Sequence, residues 1–375
     1  MCMIIVKEIH SKKDLKKFIT FPFGLYKNSK PWVPPIINQE LQTFDKKKNP
    51  IFQDAEARFF LAYKDNIIVG RVAAIINWLE VDGQNQKKMR FGWFDFIDDL
   101  DVSKALLQEV ENIGKINNLE YSEGPVGFSN LDKVGVVTEG FDTIAPMVTW
   151  YNHPYYVNHY EALGYKAEKT YVESIFPFAN VKPETFMKAQ ELIKRRYGLK
   201  ALKFTRTEDV MPYADKMFDL FNESYASLSS FVKITDIQKE YFKEKFMSFI
   251  NPEYIKFVVD KNDDLIGFAI VMPSFSEALQ KANGKLFPFG FSHILRAKKN
   301  SKDAIFYLIG IHPEYQNKGV HAVIFNEYYE IFTEKGIKNC YRTPELEDNE
   351  AIKKIWKHFD PVVYRRRKTF RKNLN

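Results

Sequence analysis

Cysteine is almost missing from this chain. Of 375 residues only Cys2 and Cys340 carry a thiol, and no Cys-x-x-Cys pair occurs. Two thiols so placed exclude a disulfide framework and fit a reducing, cytoplasmic compartment, with Cys340 read as a buried structural residue. Long apolar runs are missing too. No window approaches the roughly 18–20 apolar residues that cross a bilayer. The opening stretch, MCMIIVKEIHSKKDLKK, has no apolar region long enough for a signal peptide. A soluble chain is expected, one still able to rest on the inner face of a membrane. Low-complexity segments are absent. His153 and His159 lack the spacing and carboxylate company of a metal site, so loop and surface roles, and no metal, are expected of them.

What is abundant is aromatic. Phe (33) and Tyr (20) stand out in a chain that is 45% hydrophobic, which provides for large cores and wide apolar pockets. The length suits two or three domains of about 100–200 residues. The formal net charge is +7. Much of the excess sits in YRRRKTFRKN (364–373) and LRAKKNSK (295–302), runs that suit anionic lipid headgroups, nucleic acid or a phosphorylated cofactor.

The two halves repeat one order of elements. In the first, ARFFLAYK and IIVGRVAAII meet at Asp65-Asn66, a hairpin signal. A helix follows with apolar residues at 102, 106, 107, 110 and 113. In the second, YIKFVVDKNDDLIGFAIVMP is again a hairpin, followed after an insertion by AIFYLIGI, a polar loop and a helix. Helices are expected at 208–227 and 236–249. This repetition predicts tandem α+β domains, 1–180 and 181–375.

The loop between that strand and helix reads Gln316-Asn317-Lys318-Gly319-Val320-His321. Successive main-chain N–H groups at a helix start converge on an anion, and glycine lets the backbone approach it closely. With its strand–loop–helix context the segment resembles the pyrophosphate loop of the GNAT superfamily of acyl-CoA N-acyltransferases, whose pattern is Gln/Arg-x-x-Gly-x-Gly/Ala. Gln316 and Gly319 match; His321 departs from it, standing where a second small residue is usual. The resemblance covers nearly the whole chain in a tandem form, and implies two domains, each with a mixed, mainly antiparallel sheet flanked by helices.

The resemblance also implies a site. Residues 316–321 would hold the pyrophosphate of acetyl-CoA or acyl-CoA. Gly310 would mark a bulge splaying the strand, leaving the main chain of Ile309 and Ile311 for the pantetheine amides. Asn349, in ELEDNEAIKKIWKHF, would sit at the thiol end. Trp356 stands nearest to where the family often has a tyrosine acid, so Tyr341 is taken as a substitute acid, with Tyr364 as another. Glu347, with Glu345 beside it, is taken as a proton relay; both equally suit a helix N-terminus. Glu223, Tyr225 and Phe231 would line the acceptor site.

In the first half, Asp98, Asp99 and Asp101 occupy the corresponding loop and would repel a pyrophosphate, so that half is not expected to bind CoA. Its helix in NHPYYVNHYEALGY still resembles the family's closing helix. The expected function is transfer of an acetyl or longer acyl group to an amine. The apolar-then-basic segment GKLFPFGFSHILRAKK tilts the reading toward a lipid-like partner or membrane contact. Nucleic acid is not expected, except under the alternative of an aminoacyl-tRNA-dependent transferase of the tandem kind. A second alternative is a non-enzymatic binding protein on a degenerate version of the fold.

Overall fold

The computed structural model describes residues 3–228, 231–247 and 250–374. Cys2, and the last two residues of the helix expected at 236–249, lie outside them. The chain divides into two compact units. Unit one comprises residues 1–172, 276–293 and 364–375; unit two comprises 173–275 and 294–363.

Unit one begins with β1 (Ile5–Glu8), α1 (Lys12–Leu25) and α2 (Ile37–Thr43). The hairpin of β2 (Ala55–Lys64) and β3 (Ile67–Asn77) follows, then the short α3 (Trp78–Val81) and β4 (Lys88–Phe96). α4 (Leu100–Ile116), β5 (Tyr121–Gly124), β6 (Val136–Glu139), α5 (Tyr155–Ala162) and the start of β7 (Lys166–Pro177) complete the run. Asp65 and Asn66 both have positive φ, 49° and 63°, as a two-residue turn requires if it is to match strand twist. In α4 the apolar residues Val102, Leu106, Leu107, Val110 and Ile113 are all buried, the face expected from their spacing.

Sheet order in this unit is β1-β2-β3-β4-β5, then the chain's last strand, β13 (Val362–Asn373), with β6 also paired to β13. Phe370 lies opposite Gly124, and its ring stacks on Tyr160 at 4.6 Å. This is why the units do not divide at residue 180. The second outlying segment is tied down by Ser276 Oγ donating to Ala145 O (2.9 Å) and Gln280 Nε2 to Lys30 O (2.7 Å).

Unit two contains α6 (Glu184–Tyr197), β8 (Lys200–Leu202), α7 (Thr207–Tyr225) and α8 (Asp236–Met247). The hairpin β9 (Ile255–Val259) and β10 (Leu265–Pro273) precedes the excursion through α9 (Ser276–Ala282) and α10 (Gly290–Asn300). β11 (Asp303–Ile311), α11 (Val320–Lys335), β12 (Asn339–Leu346) and α12 (Glu350–Trp356) follow. Sheet order here is β12-β11-β10-β9-β8. β11 and β12 pair in parallel, and α11 supplies the crossover. Its residues Val320, Val323, Ile324, Tyr328 and Phe332 pack with Phe306, Ile311, Cys340 and Trp356 in the core. Cys340 is buried and free, its thiol pushed up by desolvation.

Candidate active site

The loop from β11 to α11 is built by backbone conformation. Pro313–Tyr315 form one tight turn, closed by Tyr315 N–H donating to His312 O (2.8 Å). Asn317 (φ 61°) and Gly319 (φ 82°) are then left-handed. Among the described residues, no acceptor lies on the N–H groups of Asn317, Gly319, Val320 or His321. Gln316, Asn317 and Lys318 are exposed, and these donors lie at the head of a 16-residue helix. A Cβ on Gly319 would meet Ile193 Cδ1 at 2.6 Å and push that side-chain end aside, but it is the positive φ that calls for glycine there. The Gln316 amide donates to Ile311 O (3.3 Å). The Lys318 ammonium lies over the rings of Tyr315 (5.0 Å) and Tyr197 (5.5 Å). The His321 ring sits 6.1 Å from Phe325. Burial, with lesser effects from His358 and Lys357, holds its pKa below the usual value.

Beside the loop the sheet opens. β11 and β12 pair from Asp303↔Asn339 to Phe306↔Arg342 and no further. Thr343 Oγ1 bridges the fork, within hydrogen-bonding reach of Phe306 O (3.2 Å) and Tyr307 O (3.3 Å). Beyond it residues 307–309 and 343–347 are all partly exposed, the walls of a cleft. The bulge expected at Gly310 is at Tyr307: Ile270 faces Leu308 while Val271 faces Phe306, leaving Tyr307 as the extra residue. Gly310 stays in register with Phe268. Its missing side chain admits Phe268 Cε1 and Ser224 Oγ, which a Cβ would meet at 2.3 and 2.7 Å. The main-chain acceptors expected to be open are engaged within the chain: Ile309 O accepts from the Tyr225 hydroxyl (3.0 Å), and Ile311 O from Gln316. A ligand amide reaching Ile309 O must share or displace that phenol.

A polar cluster lies on β12 and α12. Glu345 accepts from Trp356 Nε1 (3.1 Å) and Arg342 Nε (3.3 Å), and its other oxygen pairs with Arg342 Nη2. The guanidinium lies 4.8 Å over the Trp356 ring. Burial raises the Glu345 pKa despite Arg342 and Trp356, and burial lowers that of Arg342. Tyr225 is raised strongly by burial, with a smaller push from the Glu345 charge. The cluster thus brings a carboxyl of elevated proton affinity into the electrostatic reach of a neutral phenol.

The other residues singled out from sequence are dispersed. Tyr341 sits in the paired part of β12, opposite Ile305, its pKa raised by burial and by Asp303. Glu347 lies on the strand-to-helix turn, partly exposed. Asn349 caps α12, accepting from Ile352 N–H (3.1 Å). Glu223 approaches His312 Nε2 at 3.5 Å. Phe231 is buried against Phe221, ring centroids 5.6 Å apart. Arg342 was not foreseen, although the Arg-x-x-Glu spacing before a tryptophan was there to be read.

In unit one the segment between β4 and α4 is tied to α5 and β2 by side chains. His159 is 7% exposed, not at the surface as expected. Its ring spans Ser103 Oγ (2.8 Å) and Asp98 Oδ1 (2.9 Å) across the start of α4, while Asp99 caps that helix and pairs with Lys64 at 2.8 Å. Among the described residues no group of three His, Cys, Asp or Glu side chains could hold a metal ion.

No known family's sequence profile matches the chain. It is 24% identical over 380 residues to "Protein YghO" of Escherichia coli, covering 99% of this chain and 95% of that protein. It is 27% identical over 316 residues to "Bacterial ceramide synthase" of Caulobacter vibrioides, covering 82% and 80%. Among solved structures, a tandem GNAT protein from the clavulanic acid biosynthesis pathway aligns over 100% of this chain and 99% of its own, with TM-score 0.59 and 10% identity. A GCN5-related N-acetyltransferase from Sphaerobacter thermophilus aligns over 99% and 96%, with TM-score 0.53 and 10% identity. The parted parallel strands, the amide-lined loop and these full-length structural likenesses give the chain the fold of the GNAT acyltransferases in its tandem form.

Proposed function

We propose that unit two transfers an acyl group from an acyl-CoA thioester to the amine of a long-chain, lipid-like acceptor, and that unit one binds no CoA. The observation that carries this reading is the juxtaposition, in one unit, of the open amide cradle at 317–321 with the cleft between β11 and β12 and the Glu345 cluster.

The thioester supplies an activated acyl carbon. The N–H groups of Asn317, Gly319, Val320 and His321 would hold its pyrophosphate, and the parted edge of β11 its pantetheine arm. The acceptor nitrogen forms the new C–N bond as the C–S bond breaks. Glu345 takes the proton leaving the amine, a role suited to a carboxyl with raised proton affinity. We assign protonation of the departing sulfur to Tyr225, which burial keeps neutral. Main-chain N–H groups of β11 would stabilise the carbonyl oxygen as it gains charge. The reading that unit one binds no CoA is supported by the carboxylates of Asp98, Asp99 and Asp101 at the start of α4, whose charge would repel a pyrophosphate.

Two features point to a long-chain amine as acceptor. A ceramide is an N-acylated long-chain amine, and a relative 27% identical is named as making one. The partly exposed ring of Tyr225 beside β11, with Phe221 and Phe231 packed behind it, offers an apolar wall. The test is thiol release from acyl-CoAs of graded length, with long-chain amino alcohols and small polar amines as acceptors. Release with a long-chain amine, lost in Glu345→Gln, is expected. Absence of release together with absence of CoA binding by calorimetry would overturn the reading.

A further inference from the structure

The segment between β10 and β11 carries an apolar tip that no described residue covers. Its base is held to unit one by Ser276 and Gln280, and by Ile37 N–H donating to Gly284 O (3.0 Å). Past that base, Phe287 and Phe289 are 75% and 76% exposed, Phe291 43% and Leu295 59%. Single exposed apolar residues are ordinary, but three phenylalanines within five positions are not. The rings of Phe287 and Phe291 stand 5.9 Å apart, and Leu295 continues the same face of α10 four residues on.

Between Glu277 and Asp303, the charge along this segment has one sign. Residues 278–302 contain Lys281, Lys285, Arg296, Lys298, Lys299 and Lys302, and no aspartate or glutamate. Lys281, Lys285, Arg296 and Lys299 are exposed. A symmetric contact between two copies of this patch would set cations against cations. A protein groove would have to be both apolar and acidic. Aromatic rings that enter the acyl boundary while lysine and arginine stay among anionic headgroups meet no such conflict.

We propose that Phe287, Phe289, Phe291 and Leu295, with the flanking lysines and Arg296, form a docking surface for an anionic lipid bilayer. The contact lies in the interface and needs no spanning segment; no described helix is long and apolar enough to cross. It is independent of the acyl-transfer reading, because it uses no residue of the cleft.

The test is co-sedimentation of the full chain with large vesicles of phosphatidylcholine alone, or of phosphatidylcholine with about one-third phosphatidylglycerol. Binding is expected to the mixed vesicles, weakening on neutral ones and at high salt. The double variant Phe287→Ser, Phe289→Ser should lose about tenfold or more in partitioning. Its thermal midpoint should be unchanged, since both rings are in solvent. No binding of the parent, or equal binding of the variant, overturns the proposal. A parent dimer that the variant converts to a monomer also overturns it, in favour of self-association.

Discussion

Replacing Glu345 by glutamine removes one charge from a pair that is mostly out of water. The Arg342 and Glu345 side chains are 7% and 18% exposed. Glutamine can still accept from Trp356 Nε1, so one bond of the cluster survives, but the guanidinium loses its counter-charge and keeps only the ring 4.8 Å away. Stranding one member of a buried pair typically costs about 3–5 kcal/mol. The retained bond, and the desolvation relieved when the carboxylate charge goes (the same burial that raises its pKa), bring this case down to about 1–2 kcal/mol. Removing both charges should cost less than removing one, because no orphan ion remains. Denaturant unfolding of the parent, Glu345→Gln, Arg342→Met and the double variant gives the coupling directly, and should show the double variant more stable than Glu345→Gln alone. A Glu345→Gln protein within about 0.5 kcal/mol of the parent would refute the reasoning, since that is the size of an ordinary surface change.

Other outcomes follow from the same geometry. Burial raises the Glu345 pKa above its ordinary value of 4.5, so turnover should rise with pH through a midpoint above that value, and Glu345→Gln should flatten this limb of the pH–rate profile. The stability term has the opposite sense: a raised carboxyl pKa favours the fold below 4.5, and that contribution is lost as pH rises through the raised value. Gly319→Ala must hold alanine at φ 82° and displace Ile193; a loss of about 1–2 kcal/mol is expected from the backbone alone, with weaker CoA binding by calorimetry. Tyr225→Phe leaves Ile309 O without its donor and should lower stability by about 1–3 kcal/mol, a deficit that added CoA partly restores if an amide of the ligand takes the vacated bond.

Features carried by neighbouring residues were readable from the sequence. The Asp65-Asn66 turn, the buried stripe of α4 and the left-handed glycine between β11 and α11 depend on short stretches whose φ values and periodicity follow from residue type. Features set by pairing were not. The extra residue of β11 is Tyr307 because β10 fixes the register, which no property of Gly310 reveals. Glu345 rather than its neighbour at 347 meets Arg342, because Trp356, eleven residues on, folds back to donate to it. His159 was read as a surface residue because its partners, Ser103 and Asp98, lie more than fifty positions away.

The ring of Phe370 and the β13 backbone around it belong to the core of a unit whose first strand starts at Ile5. During synthesis, that unit waits for nearly the entire polypeptide before its hydrophobic interior can close. A cut at the Val172–Glu173 division therefore would not yield two free-standing halves: the leading fragment would lack the strand that seals it, and the trailing one would carry that strand away from its β5 partner.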